Sequence, residues 1–387
     1  SGTDDVYIYS FAGDLLTTVT CAPFGSEVYE LKWSPDGNYI VAVGWDGLRN
    51  KQCKIYGFDS VAETINLAAE EEVASTVMSV DWSSNGYYLA MGYYSLFVYY
   101  WDGSTLTQKY NESAPYRIHS IRWSNECDYL SVGGEDLSGS GEDFKIYQFD
   151  PLTENFYPSY QTRLYDPEPI YSIAWKSDDN TFAIAGDGGY AVKVYEFNGN
   201  VLDENVDFDF YLSDSWAVAD ISPDGKYMAL NYGGLRLYDV QNTATPTLIS
   251  ETNLTVNSND IKWSPNGSYL VNVASDEKIY LHEFSNEAFE LKDTYATSGD
   301  DLFCVDWSPD GRHVAAGIFG GSSENIITFS ISNDDLHVTF SVDCCNSDNG
   351  IYSVHWTSSG SYLAVGGRSL NVNPTTTHDI RIYKFDS

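Results

Sequence analysis

One phrase recurs eight times along the chain, and it constrains the fold more than any other feature of the sequence. The first copy reads VYELKWSPDGNYIVAVG from Val28, and the last reads IYSVHWTSSGSYLAVG from Ile351. Each copy carries an anchor residue before its polar turn, which is tryptophan in all but the fifth copy. The anchors are Trp33, Trp82, Trp123, Trp175, Ile221, Trp263, Trp307 and Trp356. Self-similarity at a period of about 40 to 50 residues is typical of propellers and other repeat folds.

Each copy predicts four short strands. In the first strand, the alternation of Tyr171, Ile173 and Trp175 predicts that one face enters a core. A turn such as S-P-D-G or S-S-N-G follows, so the second strand returns as a hairpin. A third strand comes next, for example CKIYGFD from Cys53, and a more polar fourth strand such as LTQKY from Leu106 leads into the next copy. Four antiparallel strands per unit indicate the blades of a β-propeller.

The order fourth, first, second, third strand fills residues 14–386 with eight copies. We therefore predict an all-β fold, a single eight-bladed β-propeller of four-stranded antiparallel blades over residues 14–387. Each first strand is expected to line the central channel, and each fourth strand to form the rim. Residues 1–13 are predicted to form a surplus N-terminal strand.

The residues W-S-P-D-G, then Y-[IL]-[AV]-x-G and K-[IV]-Y-x-F, resemble the WD-repeat family across residues 6–386. The repeats are degenerate, because no copy has the family's Gly-His pair and only the second ends its third strand in Trp-Asp, at Trp101 and Asp102. This departure predicts that aromatic packing, more than the family's buried His–Ser–Asp–Trp network, makes each blade rigid. The related Tol-type propeller repeats share W-S-P-D-G and are the alternative subtype.

The segment DVYIYSF from Asp5 reads as one strand more than the ring needs. Its strand residues are Val6, Tyr7, Ile8, Tyr9, Ser10 and Phe11. The resemblance implies that an N-terminal strand closes the last blade, so this segment and residues 380–385 compete for one position. It could lie as an added edge, be a remnant of a neighbouring domain, or pair with another molecule, because an unpaired strand edge templates pairing. The last alternative predicts a homo-oligomer assembled through this strand.

The charge excludes one class of partner. Asp and Glu number 56 against 20 Lys and Arg, a formal net charge of −36, and such a surface repels nucleic acid. No run of apolar residues is long enough to predict a membrane span. Three N-glycosylation sequons, at Asn111, Asn253 and Asn266, are each predicted in a turn or loop. With the composition, they predict an extracellular glycoprotein, and a cytoplasmic scaffold is the alternative.

The six cysteines contain no C-x-x-C pair, so neither a zinc site nor a redox motif is predicted. Cys21, Cys344 and Cys345 fall in equivalent connections between fourth and first strands, beside the closure of the ring. A disulfide from Cys21 to Cys344 or Cys345 would reduce the conformational entropy of the denatured chain and so stabilise the fold by about 5 kcal/mol. A vicinal Cys344–Cys345 bond, an intermolecular bond and free thiols are the alternatives.

Catalytic motifs are absent from the sequence. The histidines lack metal-binding spacing, and His119 and His355, in innermost strands, are the best placed for a site. Acidic loops around Glu135 and Glu142 could hold Ca²⁺, but solvated charge is the favoured interpretation. We therefore predict no enzyme, no cofactor and no metal, and a protein-interaction or structural propeller. The alternative is a ligand-binding or enzymatic propeller with its site at the channel mouth.

Overall fold

The structure is a computed structural model. It describes residues 5–12, 15–25, 27–45, 51–73, 76–138, 141–162, 169–176, 181–186, 192–197, 202–207, 217–241, 246–252, 254, 256–297, 301–319, 325–342, 350–373 and 376–384. Regular structure in this part of the chain consists of β-strands, and none of it is a helix that could cross a membrane.

Each copy of the phrase forms a hairpin, as predicted. The innermost strands are β3 (Glu27–Trp33), β7 (Ser79–Trp82), β11 (Ile118–Trp123), β15 (Ile170–Trp175), β19 (Val218–Ile221), β23 (Ser258–Trp263), β27 (Asp301–Trp307) and β31 (Ile351–Trp356). The second strands are β4 (Tyr39–Trp45), β8 (Tyr88–Gly92), β12 (Tyr129–Gly134), β16 (Thr181–Gly186), β20 (Tyr227–Asn231), β24 (Tyr269–Ala274), β28 (His313–Phe319) and β32 (Tyr362–Asn373). We number these hairpins as repeats 1 to 8.

The third and fourth strands follow in the predicted order. The third strands are β5 (Cys53–Asp59), β9 (Ser95–Trp101), β13 (Phe144–Asp150), β17 (Val192–Phe197), β21 (Leu235–Asp239), β25 (Lys278–Ser285), β29 (Ile326–Ser332) and β33 (Thr376–Lys384). The rim strands are β6 (Thr64–Glu71), β10 (Leu106–Ser113), β14 (Asn155–Thr162), β18 (Leu202–Asp207), β22 (Thr247–Glu251), β26 (Ala288–Ala296) and β30 (Asp335–Val342). Two N-terminal strands, β1 (Asp5–Ala12) and β2 (Leu15–Pro23), precede repeat 1.

The prediction of eight separate four-stranded blades is wrong. Hydrogen bonds join the strands into seven sheets, six of four strands and one of nine. In the nine-stranded sheet, β3 to β6 are joined to β31, β32, β33, β1 and β2 through the pairing of Glu27 with Arg368. Two copies of the phrase therefore share one sheet, and counted by hydrogen-bonded sheets the propeller has seven blades.

The N-terminal strand β1 lies between β33 and β2. It pairs in parallel with β33, with Val6, Tyr7 and Ile8 opposite Ile380, Arg381 and Ile382. Its other edge pairs antiparallel with β2 from Asp5 to Ala12. In the structure both edges of the surplus strand are thus occupied within the same chain.

The hydrophobic core lies between successive repeats. Each innermost strand packs on the next, and β31 packs on β3, so the ring closes. Every residue of β8 and β16 is buried, because sheets stacked on both faces leave a central strand no solvent side.

The anchor tryptophans pack on the phenylalanines near the ends of the third strands. The ring centroids of Trp33 and Phe58 are 5.6 Å apart, and those of Trp263 and Phe284 are 5.1 Å apart, both edge to face. This geometry is the favourable one for aromatic pairs. Aromatic packing therefore connects the first and third strands within these repeats.

A second set of contacts links the repeats at the turn end of the hairpins. The Tyr39 hydroxyl donates to the Gly103 carbonyl of repeat 2, at 3.2 Å, and that of Tyr269 donates to Asp334 of repeat 7, at 2.6 Å. Tyr362 of repeat 8 reaches the carbonyl of Ser60 in repeat 1, at 3.2 Å. The tyrosine that opens a second strand thus bonds to the turn before the next repeat's rim strand.

Candidate functional site

The central cavity is lined by the innermost strands. Side chains one and three residues before the anchors reach it, and the charged ones are Glu30, Lys32, Arg122, Asp260, Lys262 and Asp306. The cavity has a volume of about 670 Å³. Because every innermost strand except β3 is the edge of its sheet, and β3 pairs with β32 only through Glu27, their channel-side N–H groups have no strand partner.

Side chains of one repeat satisfy these N–H groups on the next. Asp81 Oδ2 accepts from the Trp123 N–H at 2.8 Å, and Asp220 Oδ2 accepts from the Trp263 N–H at 2.9 Å. Asp306 Oδ2 accepts from the Trp356 N–H at 3.0 Å. Channel carboxylates therefore act as links between repeats, and this accounts for the acidic residue before several anchors.

His355 makes the same link with an imidazole. Its Nδ1 accepts from the Trp33 N–H at 3.4 Å, across the point where the ring closes. Burial, together with the nearby Lys32 ammonium, lowers the pKa of His355 to about 3. His355 is therefore a neutral side chain that links repeats 8 and 1 through a backbone hydrogen bond, and it is not positioned as a general base.

The channel charges are partly paired. Lys32 Nζ lies 2.9 Å from Asp81, Arg122 lies 3.6 Å from Glu30, and Lys262 lies 3.8 Å from Asp260. Burial raises the pKa of Asp306 to about 6, although the Trp356 N–H and the Lys262 ammonium favour the charged carboxylate and act to lower this pKa. Burial also raises the pKa of the Cys304 thiol, so this cysteine is not an activated nucleophile.

Nearer the starts of the innermost strands, aromatic side chains from β3, β15, β27 and β31 line part of the mouth of the channel. A bulge in β3 between Val28 and Glu30 makes consecutive residues Tyr29 and Glu30 both face the cavity. The same irregularity occurs in β15 and places Tyr171, 38% exposed, at the mouth. The predicted alternation through Tyr171 is therefore wrong, and Ile170 is buried in its place.

A continuous cluster, which we call the aromatic arc, consists of three of these rings, Tyr29, Phe303 and Tyr352, and of Phe319 at the end of β28. Tyr352 lies 5.9 Å from Tyr29, 6.0 Å from Phe303 and 5.8 Å from Phe319, measured between ring centroids. Phe303 is 39% exposed. Sequence reasoning missed the arc, although the aromatic residue four positions before the anchor in VYELKW, LFCVDW and IYSVHW was its signal.

His119 lies at the same mouth in a second group. Its ring is 4.9 Å from that of Tyr171, and its Nε2 is 3.6 Å from Glu135. Burial lowers the pKa of His119, against the attraction of Glu135. His119 and His355 therefore have separate partners and form no common catalytic pair.

The predicted acidic loop is held by its own hydrogen bonds. Asp136 Oδ1 accepts from the Gly141 N–H at 2.8 Å, and Glu135 pairs with Arg117 at 3.7 Å. Among the residues that the structure describes, no group of three or more His, Cys, Asp or Glu could hold a metal ion.

The predicted glycosylation sites have different settings. Asn111 is exposed and lies within β10, so its placement in a turn or loop is wrong. Asn266 is exposed in a turn, where its Oδ1 accepts from the Ser268 N–H at 2.9 Å. Asn253 lies outside the described residues.

The predicted disulfide partners cannot be compared with the structure. Cys21 lies in β2 opposite Tyr7, but its side chain is outside the described part of the chain, as are Cys344 and Cys345. The described cysteines Cys53, Cys127 and Cys304 are free thiols.

Comparison with known proteins agrees with the repeat pattern. A family model described as "WD domain, G-beta repeat" matches residues 13–48 and 289–330. The serine-threonine kinase receptor-associated protein of Mus musculus is 23% identical over 223 residues, covering 57% of this chain, and the Homo sapiens protein is 22% identical over the same length. The chain spans 58% of the length of these curated relatives.

Solved structures resemble the whole chain. Chaetomium thermophilum Sqt1, bound to the N-terminus of the ribosomal protein L10, superposes with a TM-score of 0.73 at 14% identity, covering 100% of both chains. The C-terminal WD40 domain of Sif2 gives 0.68 at 13% identity, covering 99% of both chains. At these identities the likeness shows the fold.

Proposed function

Because the chain is a WD-repeat β-propeller, we propose that it is a protein-interaction scaffold whose binding face is the aromatic mouth of the channel. The observation that carries the proposal is the aromatic arc, a connected set of rings left partly exposed at one end of the channel. Exposed aromatic clusters beside polar groups are typical of protein-binding hot spots. The binding of Sqt1 to the N-terminus of a ribosomal protein supports the same kind of role.

The proposal assigns no reaction to the protein. The channel carboxylates Asp81, Asp220 and Asp306 bond to backbone N–H groups, and the pKa of the Cys304 thiol is raised, so the described channel offers neither a free acid–base pair nor an activated nucleophile. A ribosomal protein is an intracellular partner, so the similarity to Sqt1 favours the cytoplasmic alternative over secretion.

The finer predictions of secretion, N-glycans at Asn111, Asn253 and Asn266, and self-assembly through β1 have no support from the comparisons. They stay predictions. For self-assembly, size-exclusion chromatography of the full chain and of the chain lacking residues 1–12 is the test, and a monomer in both cases contradicts it.

The proposed function is tested by comparing partners of three tagged proteins from the cells that make them. The wild type, a double variant Phe303→Ala and Tyr352→Ala, and a rim variant Leu291→Ala are purified and their bound proteins quantified by mass spectrometry. Leu291 is 47% exposed on β26, away from the mouth, and controls for loss of an apolar side chain. We expect defined partners to be lost from the double variant and kept by the rim variant. Equal partner sets for all three would contradict the proposal.

A further inference from the structure

The cations near the aromatic arc are already engaged with carboxylates. Lys32, Arg122 and Lys262 each lie within 4.0 Å of an acidic side chain. The acidic side chains in and beside the cavity are more numerous: Glu30, Asp81, Asp220, Asp260 and Asp306. In the described part of the chain, Asp220 and Asp306 have no ion pair within that distance. The cavity lining itself carries three carboxylates and three cations, and the neighbouring Asp81 and Asp220 make the carboxylates of this region more numerous than its cations.

Among these carboxylates, Glu30 and Asp306 belong to strands that carry the arc, and Asp81 and Asp260 belong to strands that adjoin it. Asp306 lies three residues after Phe303 on β27, and Asp260 lies on the neighbouring β23, which packs on β27. Each uses Oδ2 to accept a backbone N–H of the next repeat, from Trp356 and Val305 respectively. The aromatic rings thus lie on the same side of the mouth as Asp306, whereas Asp220, the other carboxylate without an ion pair in the described part of the chain, lies on β19.

This pairing of groups favours a cationic ligand. Aromatic ring faces attract ammonium and guanidinium groups, and the methylene chains of lysine and arginine cover apolar surface while their charged ends stay polar. The net charge of −36 adds a long-range attraction for basic partners and repels acidic ones.

The dimensions favour an extended segment. The cavity of about 670 Å³ holds several side chains but is far too small for a folded domain. A chain lying across the arc could insert its side chains into the cavity while its backbone stays at the mouth. The starts of β3, β27 and β31 would form the floor of this contact.

We propose that the aromatic arc and the carboxylates below it bind an extended, lysine- and arginine-rich segment of a partner protein. The inference rests on the proposed function and adds the chemical class of the partner. Methylenes of the segment pack on Phe303 and Tyr352, and its cationic ends bond to channel carboxylates that already accept backbone N–H groups.

The test is fluorescence anisotropy of the full chain with three labelled peptides of equal length. One is rich in lysine and arginine, and the others carry glutamine or glutamate at the same positions. We expect the basic peptide to bind and the glutamate peptide to bind at least about tenfold more weakly. Phe303→Ala should lower the affinity for the basic peptide about tenfold. Phe303→Leu keeps an apolar group but should still lose the cation–π part of the affinity.

Charge is tested separately with Asp306→Asn, which keeps an acceptor for the Trp356 N–H. The matched control Glu290→Gln removes one charge from an exposed position on the rim strand β26. Asp306→Asn should lower the affinity for the basic peptide by a factor of about five. Glu290→Gln should change this affinity by less than a factor of about two. Thermal unfolding of each variant confirms that it is folded.

The outcomes separate this inference from the proposed function. If all three peptides bind equally and Phe303→Ala weakens them all, the face binds protein but the cationic partner is wrong. If the basic peptide binds and neither Phe303→Ala nor Asp306→Asn matters, diffuse attraction explains it and the site is wrong. If no peptide binds, the inference is wrong, and the proposed function then depends on the partner comparison alone.

Discussion

His282 is a buried neutral side chain in repeat 6, and its surroundings make stability depend on pH. Its Nε2 lies 3.1 Å from Asn272 Oδ1, and Asn272 donates to Ser258 Oγ at 2.9 Å. Burial lowers the pKa of His282 to about 4. Because the folded-state pKa is below the unfolded value, the unfolded chain takes up the proton first, and stability is lost as the pH falls below about 6.5.

We predict that this residue alone makes the protein about 2 kcal/mol less stable at pH 5 than at pH 7. The comparison is between the wild type and His282→Phe, since Phe329 occupies the equivalent position of repeat 7. Urea unfolding of both proteins at the two pH values measures the difference. The variant should lose less stability on acidification, and equal losses would show that His282 is not the titrating group.

Gly134 ends the second strand of repeat 3 at a position where the neighbouring backbone leaves no space for a Cβ. A Cβ added there would lie 2.1 Å from the carbonyl oxygen of Arg117, which is backbone and cannot turn aside. Gly134→Ala should therefore lower the free energy of unfolding by about 2 kcal/mol or more. The control is Ala274→Gly at the equivalent position of repeat 6, where a Cβ already fits, with an expected cost of about 1 kcal/mol. Urea midpoints that rank the two variants in the opposite order would contradict this account.

The innermost strand is the element that joins one repeat to the next. Asp306→Ala leaves the Trp356 N–H without its acceptor and should destabilise by about 1 to 2 kcal/mol. Asp306→Asn keeps the acceptor. Since burial raises the pKa of Asp306 to about 6, the charged form opposes folding as the pH rises from about 4 to 6.

Asp306→Asn should consequently be at least as stable as the wild type at pH 7, and lose that advantage at pH 4. Thermal unfolding of the wild type, Asp306→Ala and Asp306→Asn at both pH values separates the hydrogen bond from the charge. Two variants equally destabilised at pH 7 would refute the assignment of the carboxylate as a backbone acceptor.

The strands themselves were predictable from the sequence. The segments CKIYGFD and FKIYQFD coincide with β5 and β13, because the buried Tyr56 and Tyr147 and the turns around them are encoded locally. The bulge before Glu30 was not predictable, because a local break in alternation is set by pairing with β4. For this reason the aromatic arc, which depends on the bulges, had to be found in the structure.

The whole molecule has seven hydrogen-bonded sheets, and the eight predicted from the sequence are wrong. Eight copies of the phrase are present, but the pairing of Glu27 with Arg368 joins two of them into one sheet. The parallel pairing of β1 with β33 is likewise a contact between the two ends of the chain. Neither contact has a local sequence signal, because each depends on how the closed ring brings distant segments together.

The most direct test of the binding face is photo-crosslinking from defined positions. A benzophenone amino acid is placed at Phe303 in the aromatic arc and, as the control, at Leu291 on the rim, and each protein is irradiated in the cells that make it. We expect the probe at position 303 to crosslink a discrete partner within a basic segment of that partner's chain, and the probe at position 291 not to crosslink it. Crosslinks to the same proteins from both positions, or from position 291 alone, would contradict it.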